Sequence, residues 1–402
     1  MKSNFFASLI LAQGIAGHVI PHSSGCKPTA PKTGKAVYFL SNDNENSIVA
    51  LPIQPDGTLK AGKRNPVNGV GSNAIDGSTK QPAAPDALVS QSSITISGNT
   101  VFAVNAQSGS VTPMTISDND PTHLQFRSGG ASYIQKPFPN TVAVSAKNNV
   151  LCVATTATQA GVSCAGFHDG GLEPFKSVLA FDLGQSNPPV GPTNTVSQVL
   201  FSDDESMLIT IVKGDPMANK TGFISTLPVS EISSDCPHDT RTTPEGTAVL
   251  FGSQIIPGTS TLFATDASFG AAVLNIDAAT GGASVIRKQA LEDQKATCWA
   301  AYAEATKTVF VTDVAVPRIV EMSAQDASIV SQIDLSHTGD AGFIDLAAAG
   351  NFLYVLSPGT EATGAAVVVL DISGGQGKAK FLQRFDVKEL AGKNAQGLAI
   401  LQ

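Results

Sequence analysis

Seven pairs of adjacent apolar residues recur along the chain, and this repeat constrains the fold more than any other feature. Each pair lies in a short β-like run between polar turns, and the first residues of successive pairs are 44 to 64 positions apart. The pairs are Val37-Tyr38, Val101-Phe102, Val150-Leu151, Met207-Leu208, Leu262-Phe263, Val309-Phe310 and Leu353-Tyr354. Repeats of this length with several strands each are typical of β-propeller blades.

The two ends of the chain complement each other. The first repeat lacks the strand that precedes the apolar pair in the other repeats, such as residues 141–145, and residues 396–401 form a strand with no partner of their own. Joining this C-terminal strand to the first repeat would close the ring and remove the free sheet edges. The sequence therefore predicts an all-β fold, a single seven-bladed β-propeller over residues 35–402. A β-sandwich or two stacked β domains is the alternative.

Composition and the N-terminus indicate a secreted protein. With 402 residues, 14% charged content and a net charge of −8, the chain is an unsuitable partner for nucleic acid or an anionic membrane. Lys2 precedes an apolar stretch over residues 5–12, and small residues follow up to Gly17. This order predicts a secretory signal peptide over residues 1–17, a mature N-terminal extension over 18–34, and an extracellular or cell-wall location. A buried N-terminal helix is the alternative, and no second stretch is long enough to span a membrane.

The five cysteines are interpreted as structural in an oxidising compartment. Cys152 and Cys164 lie in adjacent strand-like runs that a hairpin would bring together, so they are expected to pair. Cys236 and Cys298 would then form a longer bridge and leave Cys26 unpaired, although spacing alone does not fix this connectivity.

One N-glycosylation sequon is present, at Asn219-Lys220-Thr221. The neighbouring residues are typical of a long exposed turn. We therefore expect a glycan on Asn219, with an unused sequon as the alternative.

Two turn motifs carry a family resemblance that extends over about residues 30–402. The Ser-Asp-Asp-Glu-Ser turn at 202–206 precedes an apolar pair, and Pro55-Asp56-Gly57-Thr58-Leu59 follows a strand. This unit is similar to that of the lactonase-type seven-bladed propellers, which include 3-carboxymuconate cyclases (carboxymuconate-lactonizing enzymes) and 6-phosphogluconolactonase-like proteins. The secretory signal, the low charge and the Ser/Thr-rich loops resemble fungal secreted members, some of which are cell-surface antigens or adhesins.

The resemblance implies two classes of function and no cofactor. One is an enzyme, a lactonase or lactonizing cycloisomerase that acts on lactones or muconates. The other is a non-catalytic secreted or cell-surface glycoprotein that binds host matrix proteins or glycans. The family's carboxymuconate enzymes carry a Pro-His motif at the start of an inner strand, with arginine nearby. The inner strands predicted from the repeat begin near Asn140, Gly191, Cys298 and Ala395 without His or Arg, so no catalytic residue can be transferred by position.

The loop at residues 236–245 is the richest in catalytic residue types. It contains His238 as a base, Arg241 as an anion anchor and Glu245 as a carboxylate. If it folded over the channel mouth, it could perform acid–base chemistry on a carboxylated substrate. A surface loop tethered by a disulfide is the alternative and the favoured interpretation.

Mapping the repeats onto a propeller collects a second set of residues at the axial channel, where ligands bind in this architecture. The set is Asn140, Asn194, Ser197, Trp299, Asp345 and Gln396. It is mostly neutral and rich in hydrogen-bonding groups, so it suits a small polar molecule or a glycan better than a dianion. Core packing between blades is the alternative for Trp299. We expect no metal site, since no His/Cys cluster has metal-ligand spacing, and a monomer.

Overall fold

Each apolar pair lies in the second strand from the axis of its own antiparallel sheet, and seven such sheets form a ring. The structure is a computed structural model that describes Met1 and residues 33–402, apart from 128, 169–170 and 361–363. In this part of the chain the regular elements are β-strands and three short 3-10 helices. The prediction of an all-β, seven-bladed β-propeller is confirmed. The signal peptide predicted over residues 1–17, most of the extension, and Cys26 lie outside the described residues.

Short strands of two to eight residues follow one another along the described chain. The first half contains β1 (Ala36–Leu40), β2 (Ser47–Pro52), β3 (Lys63–Pro66), β4 (Ile75–Asp76), β5 (Ile94–Ser97), β6 (Thr100–Asn105), β7 (Ser110–Ile116), β8 (Leu124–Phe126), β9 (Ser132–Tyr133), β10 (Pro139–Ser145), β11 (Val150–Thr155), β12 (Gly161–His168), β13 (Gly171–Leu172), β14 (Lys176–Ala180) and β15 (Val190–Gly191). The second half contains β16 (Val196–Phe201), β17 (Met207–Val212), β18 (Phe223–Pro228), β19 (Thr240–Thr242), β20 (Leu250–Ile255), β21 (Thr261–Asp266), β22 (Gly270–Ile276), β23 (Ala283–Ala290), β24 (Thr297–Ala303), β25 (Thr308–Asp313), β26 (Val316–Ser323), β27 (Ile329–Asp334), β28 (Leu346–Ala349), β29 (Phe352–Ser357), β30 (Ala366–Asp371), β31 (Lys380–Asp386) and β32 (Gln396–Leu401). The 3-10 helices are Pro216–Ala218, Val229–Glu231 and Ser336–Thr338.

From the axis outwards, the seven blades have a common meander order. The strand orders are β32-β1-β2-β3, β5-β6-β7-β8, β10-β11-β12-β13, β16-β17-β18-β19, β20-β21-β22-β23, β24-β25-β26-β27 and β28-β29-β30-β31. In blades two and three, β9 and β14 add a further pairing to the third strand. The inner strands pack side by side in the cycle β32, β5, β10, β16, β20, β24, β28 and back to β32.

The C-terminal strand closes the ring as the sequence predicted. β32 pairs antiparallel with β1, with Ala36 opposite Leu401 and Tyr38 opposite Ala399. Blade one is therefore built from both ends of the described ring. Because its inner strand comes from the C-terminal end of the chain, blade one is complete only after residues 396–401 have been synthesised and have paired with β1.

Burial explains why the second strand of each blade carries the apolar pair. Both faces of β1, β6, β11, β17 and β25 are fully buried, since each lies between two neighbouring blades. The outermost strands, such as β23 and β31, are largely exposed. The apolar runs therefore form the inter-blade core, where burial of each large side chain contributes about 1.5–3 kcal/mol.

One of the two expected disulfides is present. Cys152 in β11 lies directly opposite Cys164 in β12, and the two sulfurs are bonded. The predicted Cys236–Cys298 bridge is wrong: both are free thiols. Cys236 is exposed in the outer loop that precedes β19, whereas Cys298 is buried in β24, an inner strand of another blade.

Candidate functional site

The axis of the ring is filled by the chain itself at the level of the inner strands. Residues 86–93, which we call the axial segment, precede β5 and contact inner strands of several other blades. The Gln91 side-chain amide donates to the Ala300 carbonyl at 2.8 Å and accepts from the Ala300 N–H at 3.2 Å. The backbone N–H of Gln91 donates to the Ser197 carbonyl at 2.9 Å. The axial segment therefore connects blades that lie apart along the ring.

The backbone of the axial segment is conformationally unusual. Asp86, Val89 and Ser92 have φ values of +64°, +51° and +62°. For a β-branched residue such as Val89, the left-handed region is a steric outlier that costs about 1–3 kcal/mol. Strain of this kind persists where the surrounding structure fixes it, and it concentrates at ligand clamps and active sites.

Five of the six predicted channel residues meet around this segment. Asn140 donates to the carbonyls of Leu88 and Val196 at 3.3 and 2.7 Å, and Trp299 Nε1 donates to the Ser90 carbonyl at 3.1 Å. The other three are equally buried: Ser197, Asp345 and Gln396. The sequence located these side chains on the axis, but they contact protein and not an open channel. Their role in binding a ligand stays a prediction.

Asn194 does not lie in this set. Its side-chain amide donates to the Leu183 carbonyl at 2.8 Å, and it lines a separate surface cavity with Gln185 and Val190. The sequence placed an inner strand at Gly191, but residues 190–191 instead form the short parallel pair β15–β4, and the inner strand begins at Val196. The assignment of Asn194 to the axial channel is therefore wrong.

A β-bulge at the start of several inner strands explains why their side chains turn towards the axis. The register of β10 with β11 shifts at Asn140, that of β16 with β17 at Ser197, and that of β24 with β25 at Cys298. A bulge inserts one unpaired residue and changes the direction of its side chain. Three blades therefore use the same local device to present a polar or thiol group near the axis.

A cavity of about 570 Å³ lies above the axial segment, at the face where the inner strands begin. Its floor includes Asp86, Val89 and Cys298. The apolar part of its wall includes Pro82, Ala83, Pro85, Pro192, Val314 and Pro358. The volume is typical of a site for a small organic molecule.

Asp86 is the floor residue with the most informative chemistry. Its Oδ1 accepts hydrogen bonds from the Ser90 N–H at 3.3 Å and from Gln396 Nε2 at 3.2 Å. The Asp86 side chain borders the cavity. Burial raises the pKa of Asp86 to about 6, against the opposing attraction of the Lys213 ammonium. The carboxyl group is therefore poised to exchange a proton near neutral pH.

Lys213 supplies the buried positive charge beneath this floor. Its Nζ donates to the Val89 carbonyl at 2.5 Å and lies 4.1 Å from the centre of the Phe251 ring. Burial lowers the pKa of Lys213 to about 8, although Asp86 acts in the opposite direction. At the equivalent point after the second strand, blades five and six have Ala267 and Val314, whose N–H groups make the corresponding backbone bond. A lysine directly after the apolar strand β17 is the sequence signal that would have indicated this charge, and sequence analysis did not use it.

Two further buried groups on the axis have pKa values that favour their neutral forms. Burial raises the pKa of the Cys298 thiol well above its ordinary range, so this floor residue is protonated at neutral pH. Burial also raises the pKa of Asp345 to about 7, and its Oδ2 has no hydrogen-bond partner among the described residues. The Cys298 thiol is therefore not a ready nucleophile under these conditions.

The loop that sequence analysis singled out lies far from this cavity in the fold. Arg241 is in β19, the outermost strand of blade four, and His238 and Glu245 flank that strand. The Arg241 guanidinium pairs with Asp239 at 2.8 Å, and its carbon lies 5.0 Å from the centre of the Phe181 ring. His238, Arg241 and Glu245 therefore do not lie over the channel mouth, because β19 is the outermost strand of its blade. The loop is a surface element.

No group of three or more His, Cys, Asp or Glu side chains within the described residues is arranged to hold a metal ion. In the same part of the chain, no helix is long and apolar enough to cross a membrane.

Comparisons with known proteins identify the fold of this chain but not its family or activity. No protein-family model and no curated protein matches the chain. A solved structure described as a hypothetical selenium-binding protein from Sulfolobus tokodaii has a TM-score of 0.60 and 10% identity, over 92% of this chain and 94% of the other.

Two bacterial structures described as candidate 6-phosphogluconolactonases are also similar. The one from Bacteroides fragilis has a TM-score of 0.59 and 12% identity, over 92% of this chain and 98% of its own. The one from Bacteroides uniformis has a TM-score of 0.53 and 13% identity, over 70% and 80%. At such identities the likeness concerns the fold alone. The chain therefore has the fold of the lactonase-type seven-bladed β-propellers.

Proposed function

We propose that this protein hydrolyses lactones in the cavity above the axial segment, with Asp86 as the general base. The observation that carries the proposal is a buried carboxylate with a raised pKa that borders a ligand-sized cavity and is held by two hydrogen bonds to Oδ1. A group with a pKa of about 6 is mostly ionised at pH 7 and still basic enough to accept a proton from water. The shared fold with structures described as 6-phosphogluconolactonases adds support.

The reaction needs few steps. Asp86 Oδ2 accepts a proton from a water molecule while the water oxygen attacks the lactone carbonyl carbon. A tetrahedral oxyanion forms. The ring C–O bond then breaks, and the proton on Asp86 passes to the departing alkoxide. Water and lactone give one hydroxy acid, and the carboxylate is regenerated.

The anchoring contacts of Asp86 give the base a fixed direction. Ser90 N–H and Gln396 Nε2 both donate to Oδ1 and restrict rotation of the carboxylate. Lys213 does not line the cavity, so we assign it a positioning role. Its ammonium keeps Asp86 ionised at neutral pH in a site where burial alone would protonate it.

Extracellular location and glycosylation form part of the proposal. The Cys152–Cys164 disulfide is compatible with an oxidising compartment. Asn219 is exposed at the end of a 3-10 helix in the β17–β18 connection, where a glycosyltransferase could reach it. These two observations also favour the second candidate function, a non-catalytic secreted glycoprotein that binds host matrix proteins or glycans.

A hydrolysis assay separates the two functions. Proton release from a panel of five- and six-membered lactones would be followed for the purified protein, for Asp86→Asn and for Asp277→Asn. Asp277 is a matched control because it is an exposed turn carboxylate that does not line the cavity.

We expect Asp86→Asn to lower kcat by about 10²–10⁴-fold, and Asp277→Asn to leave it unchanged. For the native protein, kcat/KM should fall as the pH drops through about 6, since protonated Asp86 cannot act as a base. Turnover that survives Asp86→Asn would refute the assigned base. The absence of turnover on every lactone would favour the binding protein.

A further inference from the structure

The cavity carries little positive charge at its surface. Among its described lining residues, the ionised side chains at neutral pH are Asp76, Asp86 and the exposed Lys393. Hydrogen bonds, chiefly from the Ser78 hydroxyl, lower the pKa of Asp76 to about 2, so this carboxylate stays ionised. The Lys213 ammonium is buried below the floor, where Val89 and Phe251 occupy its near contacts. A bound dianion would therefore face two carboxylates and one surface cation.

The cavity wall offers apolar contact and few donors. Pro82, Pro85 and Val89 on one side, and Pro192, Val314 and Pro358 elsewhere, present hydrocarbon surface. Proline has no N–H, so these positions also lack a backbone donor that could bind a phosphate or carboxylate oxygen. Recognition of such anions normally requires Arg or Lys side chains or a cluster of backbone N–H groups.

We propose that this site takes an uncharged lactone with an apolar substituent, and that it discriminates against phosphorylated sugar lactones and muconate-like dicarboxylates. The inference rests on the proposed function of the same cavity and specifies its substrate class. The lactone ring lies over Asp86 at the floor, and the substituent packs against the proline- and alanine-rich wall. The two carboxylates and the scarcity of cations provide the discrimination.

A homologous series of γ-lactones tests the apolar half of the proposal. With tails from methyl to pentyl, kcat/KM should rise about fourfold for each methylene until the cavity is full. An unphosphorylated sugar lactone should be a poorer substrate than the pentyl compound, and its phosphorylated form poorer again. The corresponding γ-lactams, which resist hydrolysis, would be titrated by calorimetry to measure binding without turnover.

A pair of matched variants tests the second part of the proposal, the discrimination against anionic lactones. Ala315 lies on the exposed rim of the cavity in the β25–β26 turn, so Ala315→Arg adds a cation and Ala315→Gln adds a polar side chain without charge. Relative to Ala315→Gln, Ala315→Arg should raise the ratio of kcat/KM for the phosphorylated sugar lactone to kcat/KM for the pentyl lactone about tenfold.

The outcomes distinguish this proposal from the hydrolase itself. If lactams bind more tightly with longer tails but no lactone is turned over, the proposed ligand class is supported and the proposed hydrolytic activity is refuted. If a phosphorylated lactone is the best substrate, the proposed ligand class is refuted and the proposed hydrolytic activity is supported. Activity and binding that are both independent of tail length would also overturn the ligand class.

Discussion

Replacing Lys213 with methionine tests whether the buried Asp86–Lys213 pair stabilises or destabilises the folded protein. Both groups are almost inaccessible to solvent, at 8% and 1% exposure. Methionine keeps the length and apolar contacts of the lysine stem and removes the charge. We therefore expect the effect of Lys213→Met to report mainly on electrostatics.

The pH dependence follows from the two pKa values. The pKa of Asp86 is raised from 3.8 to about 6, so its contribution to stability is full below about pH 4 and is lost as the pH rises through 6. The pKa of Lys213 is lowered from 10.5 to about 8, so its contribution is full above about pH 10.5 and is lost as the pH falls through 8. At pH 7 both groups are therefore ionised at a cost to the folded state, and their mutual attraction limits that cost.

Single and double variants should change stability in opposite directions. At pH 7.5, Lys213→Met should lower the free energy of unfolding by about 3 kcal/mol, because the Asp86 carboxylate loses its compensating charge. At pH 5 the loss should be smaller, since Asp86 is then mostly protonated. The double variant Asp86→Asn/Lys213→Met removes both buried charges and should exceed the native protein by about 1–4 kcal/mol at pH 7.5.

Urea unfolding at pH 5 and 7.5, followed by the fluorescence of the single tryptophan, measures these differences. Lys60→Met, a change at an exposed lysine, is the control and should alter nothing measurable. The reasoning is refuted if Lys213→Met is as stable as the native protein at pH 7.5, or if the double variant is less stable than both single variants. A stabilised double variant without activity would indicate that the pair is kept for function.

Three further expectations concern the ring, the disulfide and the glycan. Deletion of residues 396–402 removes β32 and should abolish cooperative folding, because blade one then lacks its inner strand; an unchanged melting temperature would contradict closure. Cys152→Ala/Cys164→Ala, or reduction, should lower stability by about 3 kcal/mol for a bridge between residues 12 apart, and equal melting with and without reductant would argue against a stabilising role. Asn219→Gln should remove a glycan from protein secreted by a glycosylating host, as seen by mass spectrometry; an identical mass before and after glycosidase treatment would show that the sequon is unused.

The outer loop was interpreted as a surface element, but the sequence could not exclude a place at the channel mouth. His238, Arg241 and Glu245 are close in sequence and chemically varied, so they resembled a catalytic group. Their position on the ring depends on which strand of the blade they follow, and β19 is the outermost strand of its sheet. The composition of a loop does not indicate how far from the propeller axis the loop lies.

The axis shows where such reasoning succeeded in part. The repeat located Asn140, Trp299 and Gln396 near the axis because it marks the start of each inner strand, whereas their role at a ligand stays a prediction. Asp86 was missed because it belongs to a connection outside the repeat, and no periodicity marks a segment that enters the axis. Cys298 was assigned to a disulfide because pairing by elimination ignores the distance between an inner strand and an outer loop.

The sequence by itself determined the seven blades and the closure, because alternating apolar runs and turn residues are local and the terminal strands complement each other. Only the tertiary structure decided which polar groups meet. Residues 86–93, Lys213 and Cys298 come from three separate parts of the chain, and they converge because the ring brings every inner strand to one axis. Burial at that axis then sets the pKa values of Asp86 and Lys213, and burial depends on neighbours that no local pattern specifies.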